Sequence, residues 1–168
     1  MKKILLVITL AFFYSSISFA ASEGDTYGGL QYGLFTYAED GFPDAEPTAL
    51  VGRYGQFVND NVSVEGRFGI GLQDDTVLGV DVEIDTLFGL YGVFHTSSNS
   101  NTSFYGVLGF TKGEATASVP GFSVTEDDSG LSYGFGVDIN SFNIEYMLYL
   151  DEDGYDLSAI SLGYISKF

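Results

Sequence analysis

A single histidine and its neighbouring hydroxyls are the first residues that could do chemistry. His95-Thr96-Ser97-Ser98-Asn99 sets an imidazole two positions before a serine. Such a pair becomes a nucleophile when a carboxylate orients the ring, but the segment falls at a short break between strands, and we read His95 as a turn histidine. Asp151-Glu152-Asp153-Gly154-Tyr155-Asp156 is rich in oxygen ligands for Ca²⁺, yet it lacks the spacing and closing Glu of an EF-hand loop. With Glu126-Asp127-Asp128 and Glu39-Asp40 it reads as hydrated acidic surface. Arg53, Glu65, Arg67 and Glu145 form a third set. Glu65 and Arg67 are two residues apart and so share one face of a strand. Charges on a buried face must pair, since desolvating a lone one costs several kcal/mol, and we expect these four to form one interior cluster.

Little else suggests catalysis. The chain has no cysteine and one histidine, which excludes thiolate chemistry and multi-histidine metal sites. There is no phosphate loop and no dinucleotide fingerprint, so no cofactor and no enzymatic activity are expected. A net charge of −17 excludes nucleic acid as a partner, because phosphate binding needs a basic face.

The segments that must position these residues alternate with period two, as strands with two unlike faces do. In 62–72, Val62, Val64, Phe68, Ile70 and Leu72 oppose Ser63, Glu65, Arg67, Gly69 and Gly71. In 131–139, Leu131, Tyr133, Phe135, Val137 and Ile139 oppose Ser132, Gly134, Gly136 and Asp138. In 142–150, Phe142 through Leu150 on even numbers oppose Asn143, Glu145, Met147 and Tyr149, and 158–168 repeats the pattern. Segments 26–38, 48–58 and 81–96 alternate less cleanly, with Val82, Ile84, Phe88, Leu90 and Phe94 on the apolar face of the last. The facing of 103–117 stays open: Phe104, Leu108 and Phe110 favour one parity, Tyr105 and Val107 the other. This makes eight strands.

The breaks between strands are asymmetric. Those at 39–47, 74–80, 118–129 and 151–156 are long; those at 59–61, 97–102 and 140–141 are short. All three prolines (Pro43, Pro47, Pro120) and more than half of the acidic residues fall in the long set. Long acidic loops at one end and tight turns at the other is the pattern of a bacterial membrane barrel. Ahead of the strands, residues 1–20 carry Lys2 and Lys3, an apolar run from Ile4 to Phe13, and Ser18 and Ala20 at a small-residue cleavage site. We read them as a signal peptide, too short in its apolar run for the ~20 residues of a spanning helix. Residues 21–168 then form one domain.

Alternation does not say which face is outside. A soluble barrel in the periplasm would turn its apolar face inward around a small apolar ligand, whereas a membrane barrel turns it to lipid. The second face here carries Gly, Ser, Asn and Thr rather than the charges a soluble exterior needs, and charges crowd into the breaks. We therefore expect an all-β fold, an eight-stranded antiparallel up-and-down transmembrane barrel. Its glycines and paired charges would fill the bore, and Tyr27, Tyr37, Phe94, Phe104, Tyr155 and Phe168 would form aromatic girdles at the lipid boundaries.

The chain resembles the bacterial outer-membrane β-barrel domain family of the OmpA/OmpX type, part of the porin-like superfamily. The resemblance rests on Gly52-Arg53-Tyr54-Gly55-Gln56-Phe57-Val58-Asn59-Asp60-Asn61-Val62-Ser63-Val64-Glu65-Gly66-Arg67-Phe68, similar to that family's second hairpin, and on Phe104-Tyr105-Gly106-Val107-Leu108-Gly109-Phe110. Leu162-Gly163-Tyr164-Ile165-Ser166-Lys167-Phe168 resembles the signal read by the outer-membrane insertion machinery. Gly163, Tyr164 and Phe168 match it; Ser166 departs from it, standing where an aromatic or bulky residue is common. The resemblance implies a monomer at the cell surface, in the outer membrane among lipid and lipopolysaccharide, with a structural or surface-interaction role and a plugged lumen. Divalent cations could bridge its acidic loops to lipopolysaccharide phosphates. His95 to Asn99 also has a distant likeness to the His-x-Ser-Asn site of barrel-shaped lipid A deacylases, with the Ser–Asn adjacency offset by one residue.

Overall fold

The computed structural model describes residues 23–96, 101–152 and 154–168. Residues 1–22, on which the signal-peptide reading falls, lie outside the described residues, as do Ser97 to Ser100 and Asp153. The strands are β1 (Thr26–Glu39), β2 (Thr48–Asn59), β3 (Val62–Gln73), a short β4 (Asp75–Val77), β5 (Val80–His95), β6 (Thr102–Val119), β7 (Phe122–Ile139), β8 (Phe142–Glu152) and β9 (Tyr155–Lys167). Each long strand pairs antiparallel with the next one along the chain, β3 with β5, and β1 with β9 from Tyr27↔Lys167 to Glu39↔Tyr155. The eight long strands thus close into a barrel, while β4 only extends the edge of β5. Closure leaves no open sheet edge, which is what a bilayer core without hydrogen-bond partners demands.

The apolar face points outward. Leu34, Phe68, Phe88, Phe110, Phe135 and Leu162 are all more than half exposed. They belong to a belt that runs from Phe94, Phe104 and Phe142 near the chain termini to Leu34, Phe88, Phe110 and Ile160 at the distal end. A contiguous apolar surface of that extent is stable in lipid and not in water, which excludes the soluble arrangement. Strand β6 follows the same rule: Phe104, Leu108 and Phe110 face out, and Tyr105 and Val107 are buried inside.

Beyond the belt the strands continue. The segment 118–129, read from sequence as a loop, is mostly the upper part of a hairpin paired from Thr102↔Ile139 to Val119↔Phe122. Its turn is Pro120-Gly121, with Gly121 at φ +89°. Proline pre-sets the first central position of such a turn and glycine alone tolerates the second at no cost. The acids of the long breaks therefore sit largely on strand extensions: Glu126 to Asp128 on β7, Asp151 and Glu152 on β8, and Glu39 on β1.

Two register shifts reverse the sequence reading locally. Between Ile84 and Thr86 the pairing with β6 slips by one residue, and between Leu148 and Leu150 the pairing with β9 does the same. A bulge moves every side chain beyond it to the other face. Ile84 and Leu150, expected outside with their even-numbered neighbours, are buried inside the barrel.

Candidate functional site

The bore is crossed by a network that starts from the charged residues of β2 and β3. Arg53 and Arg67 stand directly opposite each other in the β2–β3 ladder. Two like charges so placed repel unless an anion divides them, and Glu65 does so. Its Oε2 accepts from Arg53 Nε at 2.9 Å and Nη2 at 2.6 Å, and its Oε1 accepts from Arg67 Nε at 2.6 Å. Across the bore on β8, Glu145 receives the other side of the Arg67 guanidinium, Nη1 to Oε1 at 2.5 Å and Nη2 to Oε2 at 2.9 Å. Such a bidentate fork is among the stronger protein hydrogen-bond arrangements. Arg53 also lies 3.7 Å from Glu145. The four residues balance in charge and their side chains are fully buried or nearly so.

Neutral side chains complete the network. Tyr27 donates to Glu65 at 2.6 Å and Tyr105 donates to Glu145 at 2.9 Å. Asn143 donates to Tyr105 at 2.7 Å and Gln31 to Asn143 at 2.6 Å. The guanidiniums also lie over rings, Arg53 5.4 Å from the Tyr105 centroid and Arg67 4.9 Å from that of Tyr91. On the distal side an apolar layer follows, with Phe35 stacked on Tyr149 at 5.3 Å and Val51, Leu87, Met147, Leu150 and Leu157 around them. On the proximal side Tyr27, Phe57 and Ile165 pack together.

Sequence reasoning placed Gln31 and Asn143 on the second face without giving them a role, and it missed Tyr27 and Tyr105. Tyr27 was expected at a girdle, yet it is fully buried. It has the same parity as the inward Gly29 and Gln31, and that parity was the available signal. Tyr37 and Tyr155 also leave the girdle, packing against the interior with their rings 5.5 Å apart. Phe94, Phe104 and Phe168 do face outward. Glycines on the inward face make room for the rings of this network. A Cβ on Gly55 would lie 2.3 Å from the Tyr27 ring, and one on Gly136 would lie 2.3 Å from the Tyr105 hydroxyl.

His95 is not in a turn. It ends β5 and is buried in the proximal bore, where its Nε2 lies 3.1 Å from Ser63 Oγ and its ring lies 4.9 Å from that of Phe57. Ser63 also bonds the Tyr27 hydroxyl at 2.9 Å. This histidine–serine contact is enclosed by aromatic rings, and Ser97, the nucleophile suggested by sequence, lies outside the described residues. Near the C-terminus, Gly163 lies beneath Gln31, where a Cβ would approach Gln31 Cγ to 2.6 Å. Tyr164 pairs with Leu30 and with Phe142, and Phe168 exchanges backbone hydrogen bonds with Thr26.

At the distal end the polar contacts are exposed. Lys112 pairs with Asp127 at 2.6 Å and Tyr155 donates to Asp128 at 2.5 Å. The Tyr155 bond and the Ser129 backbone N–H hold the Asp128 carboxyl below its ordinary range. Burial and then the Asp128 bond push the Tyr155 phenol up. Among the described residues no group of three or more His, Cys, Asp or Glu is arranged to hold a metal ion.

Comparison with known proteins agrees with this architecture. Among solved structures, the barrel is similar to Ail, the attachment invasion locus protein of Yersinia pestis, at 24% identity and a TM-score of 0.63, covering 87% of this chain and 99% of Ail. A second Ail structure contains the heparin analogue sucrose octasulfate. Neisserial surface protein A aligns at 14% identity and a TM-score of 0.64, over 87% of this chain and all 100% of that one. OprG of Pseudomonas aeruginosa aligns at 16% and 0.53, over 90% and 99%. At such identities the likeness speaks for the fold alone. No relative is found among curated protein sequences. The model of the outer membrane protein beta-barrel domain family matches residues 5–168. A closed barrel with its apolar side chains turned to lipid, matched over nearly its whole length, belongs to the outer membrane protein beta-barrel domain family and resides in the bacterial outer membrane.

Proposed function

We propose that this protein is a non-conducting, non-enzymatic barrel whose work is done at the cell surface by its distal hairpins. The observation that carries this reading is the charge-balanced network of Arg53, Glu65, Arg67 and Glu145, which crosses the bore with side chains essentially inaccessible to solvent. An ion would have to break charge-assisted bonds in a low-dielectric bore to pass, and removing one partner of a buried pair costs about 3–5 kcal/mol. The termini lie on the periplasmic side in this reading, so the long hairpins and their carboxylates face outward. After removal of residues 1–20 as a signal peptide, Gly163, Tyr164 and Phe168 serve recognition by the insertion machinery, and the monomer is surrounded by lipid and lipopolysaccharide.

The chemistry of the outer surface argues for a different partner from the sulfated sugar held by Ail. Arg53 and Arg67 are buried and Lys112 is paired with Asp127, so among the described residues the distal end has no basic patch for a polyanion. Planar-bilayer recording of the purified barrel tests the plug: we expect no large, stable conductance steps, and their appearance would overturn a filled bore. Heat-modifiable migration on a gel is the companion measurement that establishes the folded barrel in the same sample.

A further inference from the structure

Above the apolar layer of the bore the interior opens into a cup of about 620 Å³, walled by residues of all four distal hairpins. That volume lies within the range of small-molecule sites, roughly 300–1,000 Å³. Its floor is apolar: Ile84, Leu87, Leu150 and Leu157 line it and are buried. Ile84 and Leu150 are the two residues that the bulges turn inward, so the register shifts build this floor. Higher up, Tyr37 and Tyr155 stand side by side. The rim carries Glu39, which pairs with Tyr155 across β1 and β9, and Glu126, which pairs with Ala115 across β6 and β7. Both carboxylates raise the Tyr37 phenol above its ordinary value, after burial itself, as expected if they face the same opening. Among the described residues neither is in an ion pair; the exposed cation nearby, Lys112, pairs with Asp127.

We propose that this cup binds a small amphiphile bearing one positive charge, its alkyl or aryl part on the Ile84–Leu157 floor and its ammonium group between Glu39 and Glu126 against the Tyr37 and Tyr155 rings. An apolar floor alone would accept any hydrophobic molecule. The rim selects, because carboxylates attract a cation and repel an anion over the same distance, and aromatic faces favour alkylammonium groups further.

The test uses the barrel in phosphatidylcholine nanodiscs, titrated with hexyltrimethylammonium by calorimetry against empty nanodiscs, with hexanesulfonate as the anion of equal chain length. Saturable one-to-one binding of the ammonium, absent for the sulfonate, is the expected result. E39Q/E126Q should weaken it about tenfold, and A115F, which fills the cup, should abolish it, with both variants still heat-modifiable. Uptake no greater than by empty nanodiscs would overturn the proposal, as would equal affinity for the two probes or for the wild-type and E39Q/E126Q barrels. Because conductance is not measured, this outcome is independent of whether the bore is plugged.

Discussion

Glu65 holds two arginines that the β2–β3 ladder forces into opposition, and each of its oxygens serves one of them. Replacing it by Gln keeps the shape and removes the charge, leaving the cluster with one unbalanced buried guanidinium. Breaking a buried pair in this way costs about 3–5 kcal/mol, so Glu65→Gln should lower stability by that order in guanidinium unfolding from phospholipid vesicles. Gly55 makes a separate demand. The Tyr27 ring lies where a Cβ would go, and that ring is fixed by bonds to Ser63 and Glu65. Gly55→Ala should cost about 1–3 kcal/mol through overpacking. Gly66→Ala, where no atom lies within 4 Å, should stay within about 0.5 kcal/mol in the same assay. The four charges were readable from sequence because both signs on an otherwise small and neutral strand face leave burial with pairing as the consistent outcome. Tyr27 and Tyr105 could be placed only by strand parity, since an aromatic by its type suits lipid, boundary or bore equally.

The strands outrun the membrane. About nine to eleven tilted residues suffice to cross, whereas β6 and β7 each have 18. Period-two alternation marks the crossing parts clearly, because lipid on one side and bore on the other differ sharply in polarity. Above the belt neither face meets lipid, the alternation fades, and the extensions look like loops in sequence. Their order depends on contacts such as Tyr155 to Asp128. Asp128 is held below its ordinary pKa and Tyr155 above its own. The carboxylate's contribution is therefore present above about pH 4 and is lost as pH falls through its lowered value. The phenol's is present below about pH 10 and is lost as pH rises through its raised value. Carbon-detected NMR titration should find Asp128 depressed in the native barrel, and Tyr155→Phe should return it toward the ordinary value. An unchanged Asp128 in Tyr155→Phe would assign the depression to Ser129 instead.

Closure belongs to the molecule as a whole. With β1 paired to β9 and β3 to β5, every long strand has two neighbours, and the exterior can be apolar because lipid covers it. A charge there is penalised by depth. Leu108, exposed on β6 within the belt, should cost about 2–4 kcal/mol when changed to Arg near the bilayer midplane, whereas Leu78→Arg at the distal turn should be nearly neutral. Equal effects in a vesicle-refolding titration would contradict the assignment of the belt. The alternation of residues along each strand, the outward apolar face and the need to pair four charges were already settled by the amino-acid order, because they follow from local geometry and the cost of an isolated charge. The reversal of Ile84 and Leu150 at the bulges and the cup above them arose only on folding. They depend on which strands lie side by side and on one-residue slips in pairing, and neither leaves a trace in the residues of a single strand.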